Sequence, residues 1–180
     1  MTNLPPAGAD QAEVLLVCGS PSDLDLVLTC QETLTELAIA SAIRGLSAHR
    51  TPDEAAACAR DAEKQGVRVL ISFAGLSAQL GGVCAAHSRL PVIAVPVVSG
   101  PLVGMDAAIC SLQMPPGTPL AVVSLDGAKN AALLAARILA VARPELRDRL
   151  TRYDEKARER YAPEKIEAEI AKRRKARETR

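Results

Sequence analysis

Short apolar runs alternate along the chain with longer segments whose apolar residues recur at helical spacing. The first run is Glu13 to Cys18 (EVLLVC), ended by Gly19-Ser20, and similar runs span Val67 to Phe73, Pro91 to Val98 and Leu120 to Leu125. A strand covered on both faces is apolar throughout rather than alternating, so these runs predict buried strands of a parallel sheet. Leu24, Val27, Leu28, Leu34 and Leu37 mark a first helix, and further helices are predicted at Ala55 to Lys64, Leu80 to His87, Met105 to Leu112 and Ala128 to Val141. Ala40 to Leu46 carries Ser41 and Arg44 and is a weak strand by itself; its place in the alternation makes it one. The whole pattern predicts βαβ units with right-handed crossovers, and so an α/β protein around a central parallel sheet.

Three stretches follow from the same pattern: a flexible, Pro/Ala/Gly-rich start over residues 1–12, an α/β domain over 13–143, and a charged helical C-terminal extension over 144–180. Of 22 basic and 21 acidic residues, 13 and 9 follow Pro144, so the extension is net +4 and the rest net −3. Its signs alternate along a helical pattern, as on a solvated or partner-bound helix, and nucleic acid is not the expected partner.

Composition narrows the class further. At 180 residues, 48% hydrophobic and 24% charged, the chain has room for one domain with a sizeable core. Trp is absent and Phe73 is the only phenylalanine, so Ala, Val, Leu and Ile must build that core, and base-stacking platforms are not expected. The cysteines at 18, 30, 58, 84 and 110 form no CxxC and no Cys/His cluster, which argues against a zinc site or a disulfide framework and for a reducing cytoplasm. No basic, apolar leader begins the chain and no apolar run reaches membrane-spanning length.

Candidate chemistry gathers in the turns that follow strands, because ligands of an open α/β sheet bind outside the carboxyl ends of its strands. Three such loops are small, polar or glycine-containing: Gly19-Ser20-Pro21-Ser22-Asp23, Ser47-Ala48-His49-Arg50, and residues 74–82 with Ala74, Gly75, Ser77, Gln79 and Leu80. In the second, a side chain that titrates near neutral pH adjoins a permanent cation with a fork of donors, which suits acid/base chemistry on a phosphorylated small molecule. Thr51-Pro52-Asp53-Glu54 then predicts a helix start with a capping box. In the first loop, Ser22 has two readings, as a cap of the following helix or as part of a ligand site in which Ser20 meets phosphate and Asp23 accepts from sugar hydroxyls. His87 lies within a predicted helix and is read as structural. Neither GxxxxGK[ST] nor GxGxxG occurs, GxSxG is absent, and no carboxylate and histidine cluster suggests a metal.

The segments GSPSD at 19–23, SAHRTP at 47–52, AGLSAQLGG at 74–82, SLQMPPGTP at 111–119 and AKNAALLAARIL at 128–139 together resemble the PurE family of purine biosynthesis, in order and spacing from about Val14 to Leu150. The resemblance implies a flavodoxin-like three-layer α/β/α sandwich, a homo-octamer with sites at subunit junctions, a C-terminal segment packed on neighbouring subunits, and no metal or organic cofactor. It implies movement of a carboxyl group on an aminoimidazole ribonucleotide from the exocyclic nitrogen to C4, or direct uptake of CO2 there. Residue by residue, it makes His49 the general acid/base and gives the 5′-phosphate to Arg50, Ser47 and backbone amides of the Ala48 turn. Gly19, Ser20, Ser22 and Asp23 become further substrate contacts, and Ala74, Gly75, Ser77, Gln79 and Leu80 close over the ring. Where mutases of the family read AGxAAHLPGM, this chain reads AGLSAQLGGV, so Gln79 replaces a histidine with a group that cannot titrate. Ser77 matches the AGRSN of the direct carboxylases, whereas those enzymes carry Lys after the histidine and Arg50-Thr51-Pro52 matches the mutases. The mutase is the favoured reading, with direct carboxylation and a turnover-deficient nucleotide-monophosphate binder as alternatives.

Overall fold

The computed structural model describes residues 12–178. The predicted flexible start therefore lies, except for Ala12, outside the described residues. Five strands, β1 (Val14–Cys18), β2 (Ser41–Gly45), β3 (Val69–Gly75), β4 (Val92–Val97) and β5 (Ala121–Val122), pair in parallel in the order β2-β1-β3-β4-β5. Between and after them lie α1 (Leu24–Glu36), α2 (Pro52–Ala62), α3 (Leu80–His87), α4 (Met105–Leu112), α5 (Ala128–Ala140), α6 (Pro144–Arg160) and α7 (Pro163–Glu178). This strand order is that of a flavodoxin-like fold.

Period-two geometry sorts the apolar strand residues onto two faces. Val14, Leu16, Ile71, Phe73 and Val95 point toward α1 and α5, while Leu15, Val17 and Leu70 point toward α2 and α3. The alanines expected in the core line the inner faces of the helices while Leu, Val, Ile and Phe73 fill the space between: Ala131, Ala132, Ala135 and Ala136 let α5 pack closely on the sheet, and Ala55, Ala59 and Ala62 do the same for α2. Leu24 and Leu28 belong to the helical stripe of α1 but remain exposed.

Two strands differ in length from the pattern. Gly75 pairs with Val97, so β3 runs beyond Phe73, whereas β5 has only two residues paired with Ile93 and Ala94 at the sheet edge. The predicted capping box before α2 does not form: Thr51 Oγ1 accepts from the Ser47 amide at 2.8 Å and donates to the Ser47 carbonyl at 3.2 Å, and makes no bond to the first helical turn.

The C-terminal extension divides in two. Leu146 of α6 is fully buried, and Leu150 and Tyr153 pack against the same α1–α5 cluster. Arg143 grips the Glu13 carboxylate beside it, and Arg149 Nη1 donates to the carbonyls of Leu37 and Ala38 where α1 ends. This helix thus seats on its own subunit's core, whereas α7 is exposed along almost all of its length.

Candidate active site

β1 lies between β2 and β3, so the chain's crossovers leave it in opposite directions and a crevice opens at its carboxyl end. The loops after β1, β2 and β3 line this crevice, a cleft of about 300 Å³. Every residue singled out in those loops borders it: Gly19, Ser20, Ser22, Asp23, Ser47, Ala48, His49, Arg50, Ala74, Gly75, Ser77, Gln79 and Leu80. Leu76, within the third loop but not singled out there, borders it too, as does Ser99, which was not anticipated.

In the first loop Ser20, not Ser22, caps a helical turn over Pro21–Asp23, accepting from the Ser22 amide at 3.3 Å. Ser22 Oγ lies 2.8 Å from Ser20 Oγ and donates to Asp23 Oδ1 at 3.0 Å, so the capping role read for Ser22 is replaced by a link to the carboxylate. Asp23 is almost wholly buried, and burial pushes its carboxyl above the usual range, while bonds from the Ser22 hydroxyl and Ser20 backbone act against that shift. A carboxylate so held is an acceptor set at the floor of the cleft.

The second loop is organised by Ser47. Its buried hydroxyl accepts from the backbone amides of His49 at 3.3 Å and Arg50 at 3.2 Å, and the Thr51 bonds close the turn behind it. Those amides are thereby occupied, leaving the guanidinium of Arg50, the imidazole of His49 and the Ser47 O–H as the loop's side-chain donors. The side chains of His49 and Arg50 are thrown outward, and both residues are exposed. Arg50 Nη1 reaches the Gly19 carbonyl at 3.4 Å, tying the first loop to the second.

The third loop brings a partner to the histidine: Gln79 Oε1 lies 3.0 Å from His49 Nε2. Gln79 directly precedes α3, its amide donating to Ser77 O at 2.8 Å and its carbonyl accepting from Val83 N. Leu76 enters the loop with φ 54°, a left-handed backbone uncommon for a branched residue. Ser99 follows β4, and the signal for it was structural: β3 reaches Gly75, level with Val97, so the next loop arrives beside the cleft. His87, by contrast, turns its Nδ1 to the Val83 carbonyl at 3.1 Å within α3 and lies outside the cleft, as its structural reading requires.

The cleft thus combines one titratable imidazole, one fixed cation and one buried carboxylate among small hydroxyls. That set can bind a phosphorylated polyol and move a proton on what the polyol carries. Among the described residues no three His, Cys, Asp or Glu side chains gather to hold a metal, and no helix is long and apolar enough to cross a membrane.

Residues 13–160 match the protein family described as AIR carboxylase. The chain is 43% identical over 143 residues to the N5-carboxyaminoimidazole ribonucleotide mutase of Pyrococcus abyssi, covering 79% of this chain and 82% of that one. It is 38% identical over 143 residues, 79% of its length, to the chloroplastic phosphoribosylaminoimidazole carboxylase of Vigna aconitifolia, where the match occupies 26% of a longer protein. Its fold is similar to the crystal structure of Treponema denticola PurE, with a TM-score of 0.74 and 32% identity over 82% of this chain and 92% of that one.

Proposed function

The chain belongs to the AIR carboxylase family, and on that premise we propose that His49 is its general acid and base and that Arg50 grips the 5′-phosphate of its substrate. The chain is an enzyme of de novo purine biosynthesis of the mutase type, converting N5-carboxyaminoimidazole ribonucleotide to 4-carboxy-5-aminoimidazole ribonucleotide without ATP.

The chemistry asks little of the protein beyond one shuttled proton and a closed space. Protonation of the carbamate nitrogen breaks its bond to the carboxyl carbon and releases CO2 beside the aminoimidazole. C4, the electron-rich ring carbon, attacks that CO2, and the C4 proton then leaves. His49 gives the first proton and takes back the second, so the enzyme ends as it began. Asp23, acceptor-only when ionised, faces the ribose hydroxyls, and Ser20 and Ser22 add donors beside it. The loop of Ala74, Gly75, Ser77, Gln79 and Leu80 walls the ring side of the cleft, limiting escape and hydration of CO2.

The observation that carries these assignments is that His49 and Arg50 face one cleft with Ser20, Asp23 and Gln79. The test is turnover of N5-carboxyaminoimidazole ribonucleotide by the purified protein without ATP, with His49→Asn alongside. The variant should lose roughly 10²–10⁴-fold in kcat while calorimetry still registers the ribonucleotide.

A second reading, direct carboxylation of 5-aminoimidazole ribonucleotide by CO2, is favoured by Ser77 and by the name of the plant relative. It predicts no conversion of the carbamate and consumption of aminoimidazole ribonucleotide in high bicarbonate. A third, binding of a nucleotide monophosphate without turnover, is favoured by the untitratable Gln79 and predicts heat on binding but no product from either substrate.

Assembly into a homo-octamer is supported by an uncovered apolar surface on and before α4, where Leu102, Val103, Met105, Ile109 and Leu112 are each more than half exposed. Light scattering on the purified protein tests it. A cytoplasmic setting is supported by all five cysteines standing as free thiols.

A further inference from the structure

Gln79 and His49 are thirty positions apart and come from the loops after different strands, yet each is held by its own backbone in the place where they meet. His49 is fixed by its amide on Ser47 Oγ, and Gln79 by two backbone bonds at the start of α3, just ahead of the buried Leu80. With Oε1 of the amide facing Nε2 at 3.0 Å, the proton of the contact must belong to the imidazole, because an amide oxygen has none to give.

We propose that Gln79 is a positioning residue that holds His49 with a proton on Nε2 and so makes Nδ1 the ring atom that exchanges protons with the substrate. This rests on the reading of His49 as general acid and base. In the imidazolium form both nitrogens carry protons: Nδ1 gives its proton to the carbamate nitrogen as the N–C bond breaks, and recovers one from C4 after the new C–C bond forms. The Nε2 proton stays on Gln79 throughout as a donated hydrogen bond. An amide suits this task because its carbonyl accepts equally from neutral imidazole and from imidazolium, takes no proton itself and adds no charge. A titratable side chain at the same position would share the proton it was meant to steady. The histidine expected from the resemblance is thus replaced by a group with a different duty, and Gln79 acts on the chemistry through His49.

The two histidines provide an internal comparison. Nδ1 of His87 faces the Val83 carbonyl at 3.1 Å, which fixes the opposite neutral tautomer. Nitrogen-15 NMR of histidine-labelled protein above the imidazole titration should show Nε2–H at His49 and Nδ1–H at His87. In Gln79→Leu, His49 should become a mixture of tautomers with His87 unmoved, and kcat should fall about tenfold, the rate equivalent of one hydrogen bond, with KM within about twofold. In Gln79→Glu, the added charge facing Nε2 favours the imidazolium that donates the first proton, and should carry the basic limb of the kcat profile to higher pH. Asp23 and Arg50, the other ionisable side chains of the cleft, are present in every variant. An Nδ1–H tautomer at His49, or a Gln79→Leu protein with unchanged tautomer and pH profile, overturns the proposal. A protein that turns over neither substrate but changes tautomer with Gln79→Leu overturns the catalytic reading instead and upholds the coupling of the two residues.

Discussion

The hydroxyl of Ser99 sits where a side chain on Gly75 would have to go, so the loop after β4 closes directly against the end of β3 at the wall of the cleft. Gly75 is not among the residues with a left-handed backbone, so its missing side chain serves this close approach rather than a turn. Ser99 Oγ is buried there with no hydrogen-bond partner among the described residues. Gly75→Ala should therefore cost about 1–3 kcal/mol through overpacking, read by urea denaturation. Adding Ser99→Gly should recover part of that loss in a double-mutant cycle, and Ser99→Ala alone should stay within about 1 kcal/mol of the parent because no bond is broken.

Asp23 links the cleft to stability through pH. Burial raises its carboxyl pKa in the folded state above the unfolded value, so folding favours the protonated form. The corresponding stability is fully present below the unfolded pKa and is lost as pH rises through the folded one. Asp23→Asn should thus melt at higher temperature than the parent near neutral pH, with the difference vanishing in acid, while KM for the ribonucleotide rises. Calorimetric melts across the acid range check the sign; a variant less stable at neutral pH would refute it.

Arg50 is the only permanent cation lining the cleft among the described residues. Arg50→Ala should raise KM for the ribonucleotide about 10- to 100-fold, as expected for charge-assisted hydrogen bonds, with a smaller change in kcat. Arg50→Lys should recover only part of it, because an ammonium keeps the charge and loses the planar fork. Inorganic phosphate should compete more weakly in both variants, measured as an increased inhibition constant.

Leu146 measures how far the extension belongs to the domain. The side chain is fully buried with the α1–α5 cluster, so Leu146→Ala should cost about 2–5 kcal/mol in denaturant unfolding. A removal of α7, exposed along almost all of its described length, should leave the melting temperature of the remaining fold within a few degrees.

Much of the architecture was legible because it is written locally. The run Val14–Cys18 is unbroken in apolar residues because both its faces are covered, the stripe of α1 recurs every three or four residues, and even the weak β2 was recoverable from its place between two helices. Loop residues such as Ser20, Asp23, His49 and Arg50 were legible for a related reason: short polar turns after apolar runs mark the carboxyl ends of strands. The capping box at Thr51 failed because one hydroxyl can serve the helix or the turn, and Ser47 lay closer to hand. Ser99 was missed because nothing in Val98-Ser99-Gly100 signals that β3 runs on far enough to bring this loop over Gly75.

From the sequence alone came the succession of strands and helices, the Ala-rich core, and a base beside a cation at a strand-to-helix turn. Only the tertiary structure decided that β1 lies between β2 and β3, and with that the meeting of Ser20, Arg50 and Gln79 around one cleft. Periodicity reports on neighbours a few residues away, whereas strand order and contacts such as His49–Gln79 depend on packing between segments tens of residues apart. No local pattern encodes that distance; the folded sheet imposes it.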